Sequence, residues 1–435
     1  MNQIGLAVSK LHEFIAMHFN RRKFITTTLA GGLAAAIPTS SFGAETKGDI
    51  ASTYTRLDEI LQKPVLKKEL FPTPVLIESL DLLRYKDSFL CRVRSKEGAE
   101  GWSFANDGPM KSFYPVFVNR LQPFFIGKDA RNLEALLEEV YVYQSNYKFQ
   151  SLALWVPVAT IEFAILDMLG RIAGKSLGQL IGDIHHTEIS FYQANSERDI
   201  EGEEVLRHLQ QEISASKTKA LKFKVGGRMS HPEFPPGRSE RLIPLIRKVF
   251  GDEMHLFADS NGSYDTKEAI RIGKLLQEYK YEHYEEPVPF DWYEETRAVA
   301  DALTIPIAGG EQESSMHNFR WLIAHDALQI VQPDVYYFGG MIRSTRVARM
   351  TASMGKVCTP HISGGLGYLY MMHFVSTLPN AGLFHEFKGN SKELPLHCAT
   401  SSLLIGDGTI KVPTGPGCGV EIDPDYLKKY NVVSN

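Results

Sequence analysis

The chain has 435 residues, of which 43% are hydrophobic and 23% charged, a globular composition long enough for two domains or one large barrel with an attachment. Its 47 basic and 51 acidic residues give a formal net charge of −4, which argues against a nucleic-acid or membrane-surface partner. The four cysteines lie far apart without a C-x-x-C pair, so we expect core thiols rather than a zinc site or a disulfide framework.

Residues 1–44 have the features of an export signal. A basic cluster and a mildly apolar run precede small residues that suit cleavage, in the order NRRKFITTTLAGGLAAAIP and SSFGA. Arg21 and Arg22, followed by Phe24 and Ile25, resemble a twin-arginine signal for export across the bacterial inner membrane. We therefore expect a periplasmic protein without a stable membrane anchor, since the run is too short to span a bilayer. A disordered or amphipathic N-terminal arm is the alternative.

Residues 45–180 are predicted to form a separate α+β domain. In the sequence from 73 to 101, apolar and polar residues alternate, which predicts three short strands with turns at Lys86–Asp87 and Glu97–Gly98. Residues 113–180 then show helical periodicity. A block of strands followed by a block of helices is typical of an α+β domain.

Residues 181–400 have a different sequence pattern, in which short apolar runs alternate with segments of helical periodicity. Eight such runs occur, namely ISFYQAN, ALKFKV, HLFADSN, YEHYEEP, IPIAGGE, LQIVQPDV, KVCTPHIS and LFHEFK. Alternation at this period predicts parallel strands with crossover helices, and eight repeats suit a closed barrel. A doubly wound open sheet ranks below it because no G-x-G-x-x-G follows the first strand. The turn-rich residues 401–435 are expected to return to the first domain.

Polar or ionisable residues stand at the C-terminal ends of seven of the eight runs. Their spacings of 35, 26, 26, 23, 27 and 25 residues each equal about one βα unit. In a parallel barrel these ends open on one face, so the residues are predicted to converge in one pocket. The seven are Lys224, Asp259, Glu285, Glu311, Asp334, His361 and Glu386.

The three successive carboxylates, Asp259, Glu285 and Glu311, predict a metal site. Without compensation they would repel each other and raise their pKa values, and ligation by oxygen alone favours Mg²⁺ over Zn²⁺. Either Glu285 or Glu286 could ligate, and the regular spacing favours Glu285. Asn261 shares the face of Asp259 and could hydrogen-bond a substrate hydroxyl. Helix capping by each acid separately is the alternative.

Lys222 and Lys224 are predicted to point into the barrel, because residues two apart share a face of a strand. Two close ammonium groups lower each other's pKa, so one could serve as a neutral base near pH 7. Solvated lysines on an exposed strand face are the alternative, but parallel barrel strands rarely have such a face. His361 and Asp334, one unit apart, predict an imidazole oriented by a carboxylate and thus a second acid/base. With Mg²⁺, these groups suit abstraction of the proton α to a carboxylate.

On these residues the chain resembles the mandelate racemase subgroup of the enolase superfamily. The motifs that carry the resemblance are VATIEFAILDMLGRIAGKSLGQLIGD, K-x-K, DSNGSY, EEP, GGE, QPD, PH and the late Glu386. It implies a modified (β/α)₇β barrel of the TIM type with an N-terminal α+β capping domain. It also implies that Asp259, Glu285 and Glu311 bind Mg²⁺, and that Lys224 opposes the His361–Asp334 pair as acid/base. Lys222 would neighbour the substrate carboxylate, and Glu386 would hydrogen-bond the carboxylate or enolate.

Substrate choice is expected to depend on loops around the pocket. The resemblance implies a role for the capping-domain loops near 71–81 and 103–114. The loop at 226–240, GGRMSHPEFPPGRSE, is rich in proline and glycine, so it should not be helical and should overhang the pocket. We expect Arg228 or His231 to contact the distal part of the substrate; a surface excursion without ligand contact is the alternative.

The resemblance implies an enzyme that dehydrates a sugar acid, an aldonate or aldarate, to a 2-keto-3-deoxy acid. Racemisation or epimerisation of a 2-hydroxy acid uses the same two bases and is the second hypothesis. A non-catalytic sugar-acid-binding protein is a remote third, against which the complete set of residues argues. The expected partner is a small-molecule carboxylate, and the chain is expected to form a homo-oligomer.

Overall fold

The computed structural model describes residues 47–388 and 395–433, which belong to one compact unit. The predicted export signal lies outside the described residues. Fifteen strands are present in this part of the chain: β1 Ile77–Tyr85, β2 Ser88–Ser95, β3 Glu100–Phe104, β4 Glu188–Ala194, β5 Ala220–Lys224, β6 His255–Asp259, β7 His283–Glu285, β8 Ile307–Gly309, β9 Ile330–Val331, β10 Val357–Cys358, β11 His385–Phe387, β12 Leu396–His397, β13 Thr409–Lys411, β14 Glu421–Ile422 and β15 Asn431–Val432.

The α-helices of the same residues include seven crossovers between successive strands from β4 to β11. In chain order they are α1 Lys47–Leu61, α2 Asp107–Val116, α3 Gln122–Phe125, α4 Leu133–Val142, α5 Leu152–Ala173, α6 Leu177–Ile181, α7 Gly202–Ser216, α8 Arg238–Phe250, α9 Thr266–Glu278, α10 Tyr293–Ala302, α11 Met316–Ala324, α12 Met341–Ser353, α13 Tyr368–Val375 and α14 Pro424–Leu427.

Strands β4 to β11 form a curled parallel sheet in the order β10-β9-β8-β7-β6-β5-β4-β11. A parallel bridge between Cys358 and Ala381 links the two ends of this order. The crossover helices α7 to α13 follow the strands one by one, which confirms the predicted βα alternation of a (β/α)₇β barrel. Leu221 and Phe223 of β5, and Val225 directly after it, pack with residues of the surrounding helices, so the outer face of the sheet is apolar.

The N-terminal part is an antiparallel sheet of order β15-β1-β2-β3 covered by helices, as the α+β prediction required. The buried helix α5 packs directly on β3, and Gly101 permits the close approach: a Cβ there would lie 2.2 Å from the carbonyl oxygen of Ala164. Helix α5 is also long and apolar enough to cross a membrane, but 89% of its most apolar stretch is buried, as in the core of a globular protein. The thiols of Cys91, Cys358 and Cys418 are buried and that of Cys398 is partly buried, and all four are free.

The C-terminal residues return along the molecule. Strand β13 pairs antiparallel with β4 of the curled sheet, and β15 pairs with β1 of the N-terminal sheet. Strand β15 therefore lies on the N-terminal sheet. Contacts alone do not divide residues 47–433 into separate units, and the domain boundaries taken from the sequence stay predictions.

The expectation that residues 226–240, after β5, would not be helical was wrong for the last three residues. The segment is irregular from Gly226 to Gly237, but α8 already begins at Arg238. The side chain of Arg238 is buried and donates to the carbonyl oxygens of Lys224 (3.0 Å) and Ile200 (3.0 Å). These contacts with distant backbone fix the start of the helix, and local proline and glycine content could not reveal them.

Candidate active site

Three neighbouring strands of the curled sheet end in one row of charged residues. Lys224 pairs in register with Asp259, and Asp259 with Glu285, each as the last residue of its strand. Glu311 lies two residues beyond β8, the next strand in the sheet. The row follows from the parallel pairing, because strands in register bring their C-terminal ends together.

Asp259, Glu285 and Glu311 form a buried carboxylate cluster. Each offers one oxygen, and the three oxygens lie within 4.8 Å of one another. A set of three carboxylates with only oxygen donors fits Mg²⁺, and these are the residues that would hold it. The geometry agrees with the choice of Glu285 over Glu286 made from spacing.

Glu286 is buried beside the cluster with a different set of contacts. Its backbone has a φ of 43°, in the left-handed region, and its Oε2 accepts a hydrogen bond from Asn261 Nδ2 at 3.2 Å. Its Oε1 has no hydrogen-bond partner among the described residues. Burial, together with the charge of Glu311, raises the pKa of Glu286 well above its usual value.

Lys222 and Lys224 both point into the barrel, as predicted. The ammonium of Lys222 donates to both oxygens of Glu285 at 2.8 Å and lies 3.2 Å from Glu386 Oε1. Lys224 donates to Asp259 and, at 3.0 Å, to Asn261 Oδ1. The two lysines are therefore bound to the carboxylates of the site.

The predicted effect of the two lysines on each other is wrong for Lys222. Burial tends to lower its pKa, but Glu285 and Glu386 outweigh this and raise the pKa well above its usual value. Conversely, burial opposes ionisation of Asp259, but Lys224 and Lys222 hold the pKa of Asp259 below its usual range. The opposite charges dominate because they are in direct contact with the ammonium groups.

Asp334 and His361 form the predicted pair. His361 Nδ1 donates to Asp334 Oδ2 at 2.7 Å, while Asp334 Oδ1 accepts from the backbone N–H groups of Tyr336 (2.7 Å) and Tyr337 (3.0 Å). The carboxylate is thus fixed, and it fixes the ring, so that Nε2 is left for other contacts. Burial lowers the pKa of His361, but Glu311, Glu386 and the hydrogen bond to Asp334 together outweigh it, and the net direction is upward.

Glu386 lies in the middle of β11, beneath the same site. Its Oε2 accepts from the backbone N–H of Ile362 at 3.2 Å and lies 3.6 Å from His361 Nε2. Burial opposes its ionisation, but Lys222 and Lys388 hold the pKa of Glu386 well below its usual value. Glu386 therefore lies between Lys222 and His361 and contacts both.

A cavity of about 380 Å³ opens above these residues. Five of the predicted site residues border it directly: Lys224, Arg228, Asn261, Glu311 and His361. The other five, Lys222, Asp259, Glu285, Asp334 and Glu386, are buried beneath or beside those residues. A second cavity of about 400 Å³ is bordered by other charged residues, among them Lys67, Asp183 and Arg349, and by none of the ten predicted site residues.

The loops expected to select the substrate take different positions. Arg228 and Met229, from the loop after β5, line the cavity, whereas His231 is exposed and is absent from the lining. Neither 71–81 nor 103–114 contributes a lining residue, but Asn106 donates to Ser363 Oγ at 2.6 Å, and Ser363 does line it. From the N-terminal α+β part of the chain, Leu152 at the start of α5 borders the cavity.

The structure adds residues that sequence reasoning missed. Arg198 donates to Asn261 Oδ1 and, at 2.9 Å, to the carbonyl oxygen of Val225. Gln332 donates to Glu285 Oε2 at 2.9 Å, and Lys388 borders the cavity beside His361. Strand alternation could have found Lys388, which lies two residues after Glu386, but no sequence signal marks Arg198.

Comparison with known proteins gives matches along most of the chain. Residues 77–182 match the model described as mandelate racemase / muconate lactonizing enzyme, N-terminal domain. Residues 204–426 match the model described as enolase C-terminal domain-like. A curated relative, arabinonate dehydratase from Saccharolobus solfataricus, is 25% identical over 315 residues, which are 72% of this chain and 82% of the relative.

Solved structures share the fold. A candidate racemase from Roseobacter denitrificans has a TM-score of 0.76 and 29% identity, covering 83% of this chain and 99% of that protein. A mandelate racemase/muconate lactonizing protein from Paracoccus denitrificans, solved in complex with magnesium, has a TM-score of 0.74 and 22% identity over the same shares.

Proposed function

The chain belongs to the mandelate racemase/muconate lactonizing enzyme family, and from this membership we propose that it is a Mg²⁺-dependent hydro-lyase that dehydrates a sugar acid. The substrate is an aldonate or aldarate and the product a 2-keto-3-deoxy acid. The observation that carries the proposal is that two acid/base side chains, Lys224 and His361, border one cavity together with Glu311 of the carboxylate cluster. The dehydratase activity of the archaeal relative supports the same reaction class.

Asp259, Glu285 and Glu311 would hold the Mg²⁺ ion, which when bound polarises a substrate carboxylate and stabilises negative charge on it. The charges of the site favour an added cation. Six carboxyl groups (Asp259, Glu285, Glu286, Glu311, Asp334 and Glu386) lie around the amino groups of three lysines, one imidazole and the guanidinium of Arg198. Burying so many acids without further positive charge would be costly.

Lys224 and His361 approach the cavity from different sides. Four strands, β6 to β9, separate β5 from β10 in the curled sheet. With the substrate carboxylate near Lys222, one of the two groups in its neutral form, the amine of Lys224 or the imidazole of His361, takes the C2 proton, while the other group is in its protonated form. The C3–O bond then breaks and its oxygen leaves as water after receiving a proton from the other base, and the resulting enol tautomerises to the 2-keto-3-deoxy acid. Asp334 keeps His361 oriented throughout by its 2.7 Å hydrogen bond.

Racemisation or epimerisation of a 2-hydroxy acid is the second candidate. The same two bases would act, one on each face of C2, and the C3 hydroxyl would stay. The description of the structurally similar Roseobacter protein as a candidate racemase favours this alternative. A binding protein without catalysis would have no use for the fixed Asp334–His361 pair, so it ranks last.

Screening aldonic and aldaric acids with Mg²⁺ in D₂O tests the proposal. We expect loss of the C3 hydroxyl from at least one acid; deuterium at C2 with the hydroxyl retained would instead show a racemase or epimerase. Lys224→Met and His361→Asn should each lower the rate by about 100-fold or more, because general acid–base groups supply effects of this size. Lys428→Met, at a lysine with a 76% exposed side chain, is the control. If no acid in the screen lost water or exchanged its C2 proton for deuterium, the proposal that the chain is an enzyme of this class would be wrong.

We further propose that residues 1–44 export the folded chain to the periplasm by the twin-arginine route. Arg21 and Arg22 support this proposal. Fused to a reporter that folds in the cytoplasm, residues 1–44 should direct it to the periplasm, and replacing both arginines by lysine should stop export. Export of the lysine variant at the original level would contradict the route.

A further inference from the structure

Lys388 is a charged residue of the cavity without a role in the proposed reaction. It follows β11 directly and lies two residues after Glu386, so strand alternation places both side chains on the same face. Its side chain is 31% exposed and lines the cavity that Lys224 and His361 border. Lys388 thus places a positive charge in the cavity close to His361.

The ammonium of Lys388 is in direct contact with the acid/base nitrogen of His361. Its Nζ lies 3.0 Å from His361 Nε2 and 3.2 Å from Glu386 Oε1. Because Asp334 occupies Nδ1, Nε2 is the nitrogen that can exchange a proton with a ligand. A substrate atom that reaches Nε2 must therefore lie next to Nζ of Lys388.

The contacts of Lys388 with the described residues do not use all of its donors. An ammonium has three N–H donors, and Nζ has Glu386 Oε1 as an ion-pair partner and His361 Nε2 as an acceptor while that nitrogen carries no proton. When Nε2 is protonated it no longer accepts from Lys388, and among the described residues only the contact with Glu386 is left. A substrate oxygen beside Nε2 could accept from Lys388 and His361 together.

We propose that Lys388 is a substrate-binding residue that donates a hydrogen bond to the C3 hydroxyl and thereby favours dehydration over inversion at C2. The proposal rests on the proposed function and assigns the two groups: Lys224, as the neutral amine, takes the C2 proton at Nζ, and His361, as the imidazolium, gives its Nε2 proton to the departing C3 oxygen. The C3–O bond breaks with its electron pair on oxygen, and water leaves. Lys388 keeps its proton and stabilises the oxygen while charge develops on it.

The test measures elimination and proton abstraction separately. With the acid found in the D₂O screen, the rate of water loss reports elimination. The 3-deoxy analogue of that acid has no leaving group, so its C2 deuterium exchange reports proton abstraction alone. We expect Lys388→Met to lower kcat for water loss about 10- to 100-fold, the effect of one hydrogen bond to a charged group, and to change exchange in the analogue less than about threefold. Lys388→Arg should recover part of the loss.

The outcomes separate this proposal from the proposed function. If the unmodified chain dehydrates an acid and Lys388→Met does so equally fast, Lys388 has no such role although the enzyme is a dehydratase. Equal losses in elimination and in analogue exchange would show a general effect on the site and would also overturn the proposal. If the unmodified chain exchanges C2 of every accepted acid without losing water, dehydration itself is wrong, and the role of Lys388 with it. Lys428→Met serves as the matched surface control.

Discussion

Glu285 and Glu286 are adjacent residues with different surroundings. Glu285 is the last residue of β7 and contributes to the carboxylate cluster, where it also accepts from Lys222 and Gln332. Glu286 leaves the strand with a φ of 43° and accepts from Asn261. The change of backbone direction between them directs one carboxylate into the cluster and keeps the other beside it.

This difference predicts unequal effects on metal binding. Glu285→Gln removes a negative donor of the cluster and should weaken Mg²⁺ binding about 100-fold or more, since even residues that only support metal ligands change affinity by about 10- to 100-fold. Glu286→Gln keeps the size and the contact with Asn261 and should weaken binding less than about tenfold. Calorimetric titration of the metal-free protein with Mg²⁺ measures both. If Mg²⁺ binding were weakened more in the Glu286 variant than in the Glu285 variant, Glu286 would be the metal ligand and our assignment would be wrong.

Strand periodicity made much of this site predictable at the level of single residues. Lys222 and Lys224 point inward as expected because they alternate with Leu221 and Phe223; their contacts with carboxylates of the protein were not predicted. The sign of the pKa shift at Lys222 was not predictable, because it depends on the distances to Glu285 and Glu386, which come from other strands. Arg198 was missed for a similar reason: its partner Asn261 is 63 residues away in sequence.

Among the elements, α12 begins at a carboxylate from the N-terminal part of the chain. Glu162 of the buried helix α5 accepts hydrogen bonds from the backbone N–H groups of Met341 (2.6 Å) and Ile342 (3.0 Å). The first N–H groups of a helix lack partners inside it, so this contact caps α12 across the interface. Gly340 makes room for it, because a Cβ there would lie 2.0 Å from Glu162 Oε2.

Gly340→Ala should therefore destabilise the protein strongly. The new methyl group would displace the capping carboxylate, and the φ of 117° strains any residue other than glycine. We expect a loss of about 3 kcal/mol in the free energy of unfolding, measured with urea. Gly355→Ala is the matched control, since Gly355 has a φ of 66° but no atom within 4 Å of its added Cβ, and it should cost about 1 kcal/mol. If both variants lost the same free energy of unfolding, backbone strain would explain the effect and the contact with Glu162 would not contribute.

The order of elements was predictable from the sequence, while their exact ends were less so. Each of the eight apolar runs contains a strand of the curled sheet, because a strand buried on both faces must be apolar along most of its length. The strands themselves are short; β9 and β10 have two residues each, so Asp334 and His361 lie three residues beyond their strands. Their meeting depends on loop conformations that periodicity does not encode.

For the molecule as a whole, the C-terminal residues connect the curled sheet with the N-terminal sheet. Strand β13 lies on β4, β15 lies on β1, and between them the backbone N–H of Cys418 donates to Asp167 of α5 at 2.7 Å. His373 of α13 joins the same region, where its Nε2 donates to the carbonyl oxygen of Cys418 at 3.0 Å. A single buried region thus holds helices of both parts of the molecule and the returning chain.

The burial of His373 predicts how stability depends on pH. Burial lowers the pKa of His373 to about 4, whereas an unfolded histidine has a pKa of about 6.5. Between these values the unfolded chain binds a proton that the folded chain excludes, so stability falls as the pH is lowered, by up to about 1.4 kcal/mol per pH unit. His373→Gln keeps a donor for Cys418 but cannot titrate. Its unfolding free energy should therefore decline less steeply from pH 6.5 to 4.

Urea unfolding of both proteins across this pH range measures the difference. Some decline should persist in the variant, because burial also lowers the pKa of His385, to about 3. His317→Gln is the control, since His317 is exposed and its replacement should leave the slope unchanged. If the His373 variant and the unmodified protein lost stability in parallel between pH 6.5 and 4, the histidine would have to accept its proton in the folded state. The contact with Cys418 would then be too open to keep the ring neutral, and the junction between α13 and the returning chain would be weaker than its burial indicates.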